Sequence, residues 1–355
     1  MHEQFLLAAL EQAKQGRGIC SPNPSVGAVA VQNGCIIARA WHRGAGTAHA
    51  EQLLLAQITP KMPGINLYIT LEPCNHWGRT PPCVDAIIQH GIEHVVFACH
   101  DPNPVVIKNH STDTLESHGV KVSYFPIPEI NDFYQSYRYW TRTGKPRVTV
   151  KIAQSLDGKV GRAGGPKIHL SNESCQQFTH QMRTNSDIIL TSAKTIQTDN
   201  PQMNVRLEGE IKAKPVAIVD RRLSLSTEAV IFSTASHCHV YHQSEKAGHY
   251  PNSSFYTMPC TKEGIDLEAV LKHLGHLGYH DVWVEAGGAL FSTLHRENLV
   301  HRTYLYLVSK VLGPKAVSAY AQEDIFDRAH KISWHAMDNN MIARLDWQED
   351  ECLPG

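Results

Sequence analysis

The 355-residue sequence predicts an α/β protein built as two domains, and three observations carry that expectation. Helical and strand-like stretches alternate through both halves, as they do in layered α/β folds. A turn, Gly144-Lys145-Pro146, separates the halves after an aromatic-rich helical run. The length exceeds that of one ordinary domain, and a hydrophobic content of 42% suffices to fill two cores. The expected domains are therefore 1–144 and 145–355.

Within the first half, Met1 to Gly16 sets Phe5, Leu6, Ala9, Leu10 and Ala13 at helical spacing. The stretch lacks the basic leader and apolar run of a signal peptide. In Pro22-Asn23-Pro24-Ser25-Val26-Gly27 the prolines fix a loop and the glycine permits a close approach. Val26 to Val31 and Cys35 to Ala40 read as strands joined by Asn33-Gly34, a strong hairpin turn. A helix is expected to begin near His49, and Ile65 to Leu71 is a β-rich run ending at Glu72-Pro73-Cys74. Pro81-Pro82 opens a helix from Cys83 to His90 that stops at Gly91, since proline suits a first helical turn and glycine the end. A strand over 94–99, a loop Asp101-Pro102-Asn103-Pro104, a helix, a strand over 120–125 and a helix over 131–143 complete the half.

The second half predicts strands over 148–153, 187–191, 216–220, 238–242, 281–285 and 303–311, with helices over 172–182 and 266–277. Such a pattern builds a mainly buried sheet. No G-x-G-x-x-G follows a strand, so the ordinary dinucleotide fingerprint is absent. Glu285-Ala286-Gly287-Gly288 is nonetheless a strand-to-helix turn whose bare N–H groups suit a pyrophosphate, although a strand ending in two glycines is more often just a turn. Arg221-Arg222, directly after a strand ending at Asp220, stand where a 2′-phosphate is read; two solvated charges at a strand end are the rival reading.

Composition narrows the function classes. A net charge of −1 gives no basic excess, so nucleic acid is not an expected partner. No run of about 18 apolar residues occurs, so no membrane span is expected. Nine cysteines, an odd number without a secretory leader, read as cytoplasmic thiols plus a metal site.

Chemistry concentrates between residues 49 and 83. His49, Cys74 and Cys83 are three ligands of the type Zn²⁺ prefers, and a catalytic zinc keeps a fourth position for water. Cys83 falls at a predicted helix start, where the dipole and free N–H groups favour its thiolate. In zinc deaminases a His/Cys/Cys set holds the metal while a nearby glutamate that is not a ligand moves protons, and Glu51 in His49-Ala50-Glu51 suits that role. The usual spacing of such cysteines is C-x-x-C, whereas eight residues separate Cys74 from Cys83. A closed structural zinc site is the competing reading, but it needs a fourth protein ligand and has no use for Glu51.

The extended set Pro22-Asn23-Pro24-x-Val26-Gly27, His42, His49-Ala50-Glu51, Thr70-Leu71-Glu72-Pro73-Cys74-Asn75-His76-x-Gly78-Arg79-Thr80-Pro81-Pro82-Cys83 and Asp101-Pro102-Asn103-Pro104 resembles the bifunctional riboflavin-biosynthesis deaminase/reductases. In that family the eight-residue cysteine spacing is the rule. Lys151-Ile152-Ala153-Gln154-Ser155-Leu156-Asp157-Gly158, Arg183, Thr195, Asp199-x-Pro201, Arg206 and Glu285-Ala286-Gly287 extend the resemblance to the reductase half, so that it spans nearly the whole chain. It implies a cytidine-deaminase-like three-layer domain followed by a dihydrofolate-reductase-like α/β domain. It further implies one Zn²⁺ per chain, NADPH, a pyrimidine phosphoriboside substrate and a homo-oligomer, dimer or tetramer.

By the same resemblance Glu51 is catalytic, His49, Cys74 and Cys83 hold zinc, and Asn23, His42, His76, Arg79, Asp101 and Asn103 line the deaminase substrate site. Lys151, Arg183, Met203, Arg206 and Glu285 fall at reductase substrate positions. Gln154, His169, Thr195, Asp199, Arg221 and the turn Gly287, Gly288, Ala289 and Leu290 fall at cofactor positions. Two stretches depart from the family pattern. Val105-Val106-Ile107-Lys108-Asn109-His110 lacks the usual glycines, and Lys167-Ile168-His169-Leu170-Ser171 puts an imidazole where an indole is common. A monofunctional pyrimidine or base deaminase with a non-catalytic second half, and a zinc-stabilised binding protein, are the alternatives that the residues leave open.

Overall fold

The computed structural model describes residues 2–77, 81–103, 110–162, 168–245, 248–262, 264–320 and 330–347. Arg79, Lys167 and the 105–109 stretch lie outside them. The chain divides into two compact units, one of 1–145 together with 275–280 and the other of 146–274 with 281–355. The short return of 275–280 to the first unit has no counterpart in the sequence reading.

In the first unit α1 (His2–Lys14) precedes a hairpin of β1 (Gly27–Gln32) and β2 (Cys35–Trp41). Asn33 and Gly34 turn it at φ 52° and 76°, as the dipeptide foretells. Then follow α2 (Ala50–Leu55), β3 (Ile65–Ile69), α3 (Cys83–His90), β4 (His94–Phe97), α4 (Ser111–Ser117), β5 (Lys121–Tyr124), α5 (Pro128–Phe133) and α6 (Gln135–Thr143). The sheet runs β2-β1-β3-β4-β5, antiparallel at β1 and parallel from β3 to β5. Gly27 to Val31 are all buried, so both faces of β1 are covered and the sheet is the middle of three layers. Helix α3 ends at Gly91 in the left-handed region, φ 74°, where glycine carries no Cβ penalty.

The single helix expected over 131–143 is two helices that meet at Tyr134. That residue is fully buried, its hydroxyl 2.7 Å from Thr70 Oγ1 and donating to the Ser25 carbonyl at 2.9 Å. Satisfying a buried phenol at a fixed place takes precedence over helix continuity.

The second unit is built on β6 (Arg147–Ser155), β7 (Lys159–Arg162), α7 (Glu173–Asn185), β8 (Ile188–Ser192), α8 (Ala193–Asp199), β9 (Val205–Leu207), β10 (Glu210–Lys212) and β11 (Pro215–Val219). It continues with α9 (Ile231–Thr234), β12 (His237–His242), β13 (Ser253–Thr257), β14 (Cys260–Thr261), β15 (Gly264–Ile265), α10 (Leu267–His276), β16 (Asp281–Glu285) and α11 (Gly288–Arg296). The last elements are β17 (Arg302–Val308), β18 (Ala316–Ser318), β19 (His330–Met337) and β20 (Asn340–Trp347). Nine strands form one sheet in the order β13-β12-β11-β8-β16-β6-β17-β20-β19. Pairing is parallel from β13 to β17 and antiparallel beyond it. The inner strands β8, β11 and β16 read as apolar runs because they are buried along most of their length, whereas β6 is buried at alternate residues.

Chain order reverses around β6: β8, β11, β12 and β13 extend to one side, β16 inserts between β6 and β8, and β17 lies on the other. The crevice at the carboxyl ends of strands flanking such a reversal is where open α/β sheets bind ligands. The β19–β20 hairpin was not anticipated from the sequence. Its outer strand does alternate, with Ile332, Trp334 and Ala336 between Lys331, Ser333 and His335, although Ile332 and Trp334 are exposed.

Candidate active sites

In the first unit the start of α2, the turn after β3 and the start of α3 converge. His49 caps α2, Cys74 follows β3, and Cys83 opens α3 just after Pro82. His49 Nδ1 lies 3.4 Å from Cys74 Sγ and 3.3 Å from Cys83 Sγ, and one ligand atom from each residue falls within 4.8 Å of the others. Among the described residues no other group of three such side chains meets that condition. The Cys83 amide N–H donates to Cys74 Sγ at 3.4 Å, so the head of α3 favours a sulfur anion. Hydrogen bonding from Cys83, and the neighbouring His49, hold the Cys74 thiol down to about 4, and Cys83 as the donor is pushed up. Two sulfurs and an imidazole nitrogen this close together form a donor set of the kind Zn²⁺ takes, so the residues fit that ion.

Glu51 occupies the first turn of α2, 4% exposed. Burial pushes its carboxyl up to about 7, the Cys74 sulfur adding to the rise, which is the range in which a carboxyl can both take and give a proton.

Around this trio, His42 is buried with Nδ1 3.2 Å from the Ala48 carbonyl, so that nitrogen carries the hydrogen and Nε2 accepts from Asn23 Nδ2 at 3.1 Å. The His42 and His49 rings stand edge to face at 5.4 Å. The structure thus brings Asn23 and His42 to the ligand trio. His76 Nδ1 is buried without a hydrogen-bond partner among the described residues. Asp101 is buried, accepts from the Asn103 amide at 2.9 Å and the Tyr137 hydroxyl at 3.3 Å, and is pushed up to about 6 by its burial. Tyr137 carries no sequence signal of that contact, since it arrives from a helix 36 residues on.

At the carboxyl ends of the second unit's parallel strands lies another constellation. Glu285 ends β16 beside Lys151 in register on β6. Arg183 from α7 grips Glu285 with two bonds, Nε to Oε1 at 2.6 Å and Nη2 to Oε2 at 3.0 Å. Trp283 Nε1 donates to the same Oε1 at 2.8 Å. Burial alone would raise the Glu285 carboxyl, but Arg183, Lys151 and Trp283 together hold it down at about 2. The Lys151 ammonium sits 5.0 Å from the centre of the Tyr306 ring, its pKa lowered by burial against the opposing pull of Glu285.

Arg183 Nη1 donates to the Asn204 carbonyl at 2.7 Å, and Arg206 Nη1 to Asn204 Oδ1 at 2.6 Å, so Asn204 ties the two arginines together. His180 accepts the Arg206 amide at 3.2 Å, and its burial, then Arg183 and Arg206, hold it down to about 4. Met203 is buried, its sulfur 3.8 Å from Arg183 Nη2. Asn204, Trp283, Tyr306 and His180 escaped the sequence reading. The i,i+3 spacing of His180 and Arg183 on α7 is the one signal that could have flagged any of them.

Thr195 and Gly287 also meet, the Gly287 amide donating to Thr195 Oγ1 at 3.2 Å. Gly288, Ala289 and Leu290 form the first turn of α11. A Cβ on Gly287 would meet nothing within 4 Å, so that turn is open to a ligand, whereas one on Gly288 would come within 2.9 Å of the Ala319 carbonyl. Gln154 is 8% exposed and its Oε1 has no hydrogen-bond partner among the described residues. An orphaned buried acceptor and an open helix start are each features that a nicotinamide dinucleotide can use. Asp199 ends α8, half-buried. His169 is exposed, its carbonyl accepting from Lys310 Nζ at 2.7 Å.

Comparison with known proteins decides the family. Residues 146–343 match the family described as "RibD C-terminal domain", and residues 1–99 match the "Cytidine and deoxycytidylate deaminase zinc-binding region". The riboflavin biosynthesis protein RibD of Chlamydia muridarum is 33% identical over 87% of this chain and 85% of its own. The chain belongs to the RibD family. That of Escherichia coli K12 is 32% identical over 88% of this chain and 89% of its own. Among solved structures, a diaminohydroxyphosphoribosylaminopyrimidine deaminase/5-amino-6-(5-phosphoribosylamino)uracil reductase from Thermotoga maritima superposes with TM-score 0.88 at 29% identity, covering 98% of this chain and 99% of that one. The Acinetobacter baumannii RibD gives 0.85 at 28% identity with the same coverage.

As a RibD-family member the chain is a bifunctional deaminase/reductase of riboflavin biosynthesis, zinc-dependent in its deaminase domain and NADPH-dependent in its reductase domain. The folds are cytidine-deaminase-like and dihydrofolate-reductase-like α/β. Its substrate is a small-molecule pyrimidine. No helix among the described residues is long and apolar enough to cross a membrane. The monofunctional alternative is not favoured.

Proposed function

We propose that residues 1–144 deaminate 2,5-diamino-6-(5-phosphoribosylamino)pyrimidin-4(3H)-one, and that 145–355 reduce the ribosyl group of the product to give 5-amino-6-(5-phosphoribitylamino)uracil. The observation that carries the first step is the burial of Glu51 beside three converging ligand atoms. His49, Cys74 and Cys83 would hold zinc, which when bound lowers the pKa of water towards neutrality. Glu51 takes the proton of the attacking water and returns a proton to the departing ammonia, as one C–O bond forms and one C–N bond breaks. The Asn23 amide, His42, His76, Asp101 and Asn103 bind the polar pyrimidine edge, and Arg79 the phosphate.

Gln154, His169, Thr195, Asp199, Arg221 and the turn Gly287 to Leu290 would hold NADPH, which when bound would supply hydride for reduction of the ribosyl carbon. Lys151 and Glu285 stand at the reacting end, and Met203 lines it. Arg206, the more exposed of the two arginines, and Arg183 hold the ribose phosphate. Cytoplasmic residence and a homo-oligomer, dimer or tetramer, belong to the same reading.

Glu51→Gln tests it. The variant should keep one zinc per chain while ammonia release falls by about 10²–10⁴-fold. Reduction of substrate supplied already deaminated should continue, and ammonia release at the wild-type rate would sink the assignment.

A further inference from the structure

Strands β11 and β12 are parallel neighbours, and the residues just past their carboxyl ends, Asp220-Arg221 and Gln243, lie side by side. In dinucleotide folds an acidic residue past such a strand accepts the ribose hydroxyls of NADH, while an arginine nearby accommodates the extra phosphate of NADPH. Asp220 is 1% exposed, and its two oxygens are taken up within the unit. They accept from the Ser224 amide at 3.0 and 2.8 Å, from Ser224 Oγ at 3.1 Å, from the Leu225 amide at 3.3 Å and from the Tyr250 hydroxyl at 2.8 Å. Asp220 is thus committed to its own unit and is not presented to a ribose hydroxyl.

Arg221, by contrast, is exposed and fixed at one point. Its Nε donates to Gln243 Oε1 at 2.8 Å, and the Gln243 main-chain N–H donates back to the Arg221 carbonyl at 3.1 Å. Gln243 thus holds the inner edge of the guanidinium, and the two terminal nitrogens are left without a partner among the described residues. A guanidinium held at Nε presents those nitrogens as a fork, the geometry that suits a phosphate. A neutral amide is the acceptor that orients the fork without neutralising its charge, which a carboxylate at the same place would do.

We propose that Gln243 is a positioning residue that sets the preference for NADPH over NADH by orienting Arg221 towards the 2′-phosphate. This rests on the reading of Arg221 as a cofactor residue. It adds that the discrimination depends on the pair and that Asp220 gives no compensating grip on NADH.

The test measures kcat and KM of the full-length enzyme with each nucleotide, on substrate supplied already deaminated, for Arg221→Leu, Gln243→Leu and Gln243→Glu. Arg221→Leu should lower the ratio of kcat/KM for NADPH to that for NADH by about 10–100-fold, the range of a lost charge-assisted bond. Gln243→Leu should lower the ratio about three- to tenfold, through KM for NADPH rather than kcat. Gln243→Glu keeps the acceptor but adds a charge against the phosphate, so the ratio should fall below that of Gln243→Leu. If Arg221→Leu shifts the ratio and neither Gln243 variant does, the proposal fails while the Arg221 reading stands. If no variant shifts it, the Arg221 reading fails and the proposal with it.

Discussion

At the scale of single residues the candidate reductase site is organised by a charge pair rather than by a free nucleophile. Arg183 and Glu285 are both largely buried, and each leaves the other as its main compensation. Breaking such a pair strands a charge, which costs about 3–5 kcal/mol. The sign of the pH effect follows from the direction of the shift. Glu285 is held at about 2 against an ordinary 4.5, so its stabilisation is complete above pH 4.5 and is lost as pH falls through that value towards 2. Urea unfolding of the second unit should therefore weaken across that window. Glu285→Gln should flatten that part of the profile and lower stability at neutral pH by about 3–5 kcal/mol. An unchanged profile in the variant would show that other carboxylates govern acid unfolding.

At the scale of elements, one glycine locks α1 to the sheet. A Cβ on Gly27 would lie 2.1 Å from the Ala9 carbonyl oxygen and 2.4 Å from the Ala13 amide nitrogen, backbone atoms of α1 that cannot swing aside. The close approach expected of this glycine is thus a helix laid directly on β1. Gly27→Ala should cost the first unit about 3 kcal/mol, the upper end of the usual range for overpacking, since the strain falls on main chain instead of on a rotamer. Ammonia release should fall with the first unit's melting temperature, while reduction of the supplied deaminated substrate persists; a melting temperature within error of the wild type would refute the clash.

What the sequence disclosed at this scale was whatever is written locally. Asn33-Gly34 and the stop at Gly91 each act within a few residues. The zinc-ligand candidates were legible for the same reason, because each sits in a short local motif, His49 and Cys83 at helix starts and Cys74 in the turn after β3. Contacts made across the fold were not. The break at Tyr134 depends on Ser25 and Thr70, and the link between Arg183 and Arg206 depends on Asn204 lying between them, none of which a linear spacing encodes.

At the scale of the whole molecule, two units with separate cores carry two chemistries that call on different groups. The metal-ligand candidates all belong to the first unit, as do the polar side chains gathered around them. The second unit's catalytic candidates are held by an Arg–Glu pair, a buried lysine and the aromatic rings of Trp283 and Tyr306, none of which needs a metal to keep its geometry. Removing zinc with a strong chelator should therefore abolish ammonia release and leave reduction of the supplied deaminated substrate within about twofold of its starting rate, because the two sites share no ligand. Returning one equivalent of Zn²⁺ should restore deamination. Loss of both activities on chelation, recovered together, would show that the metal supports the folding of the whole chain and not the chemistry of one unit.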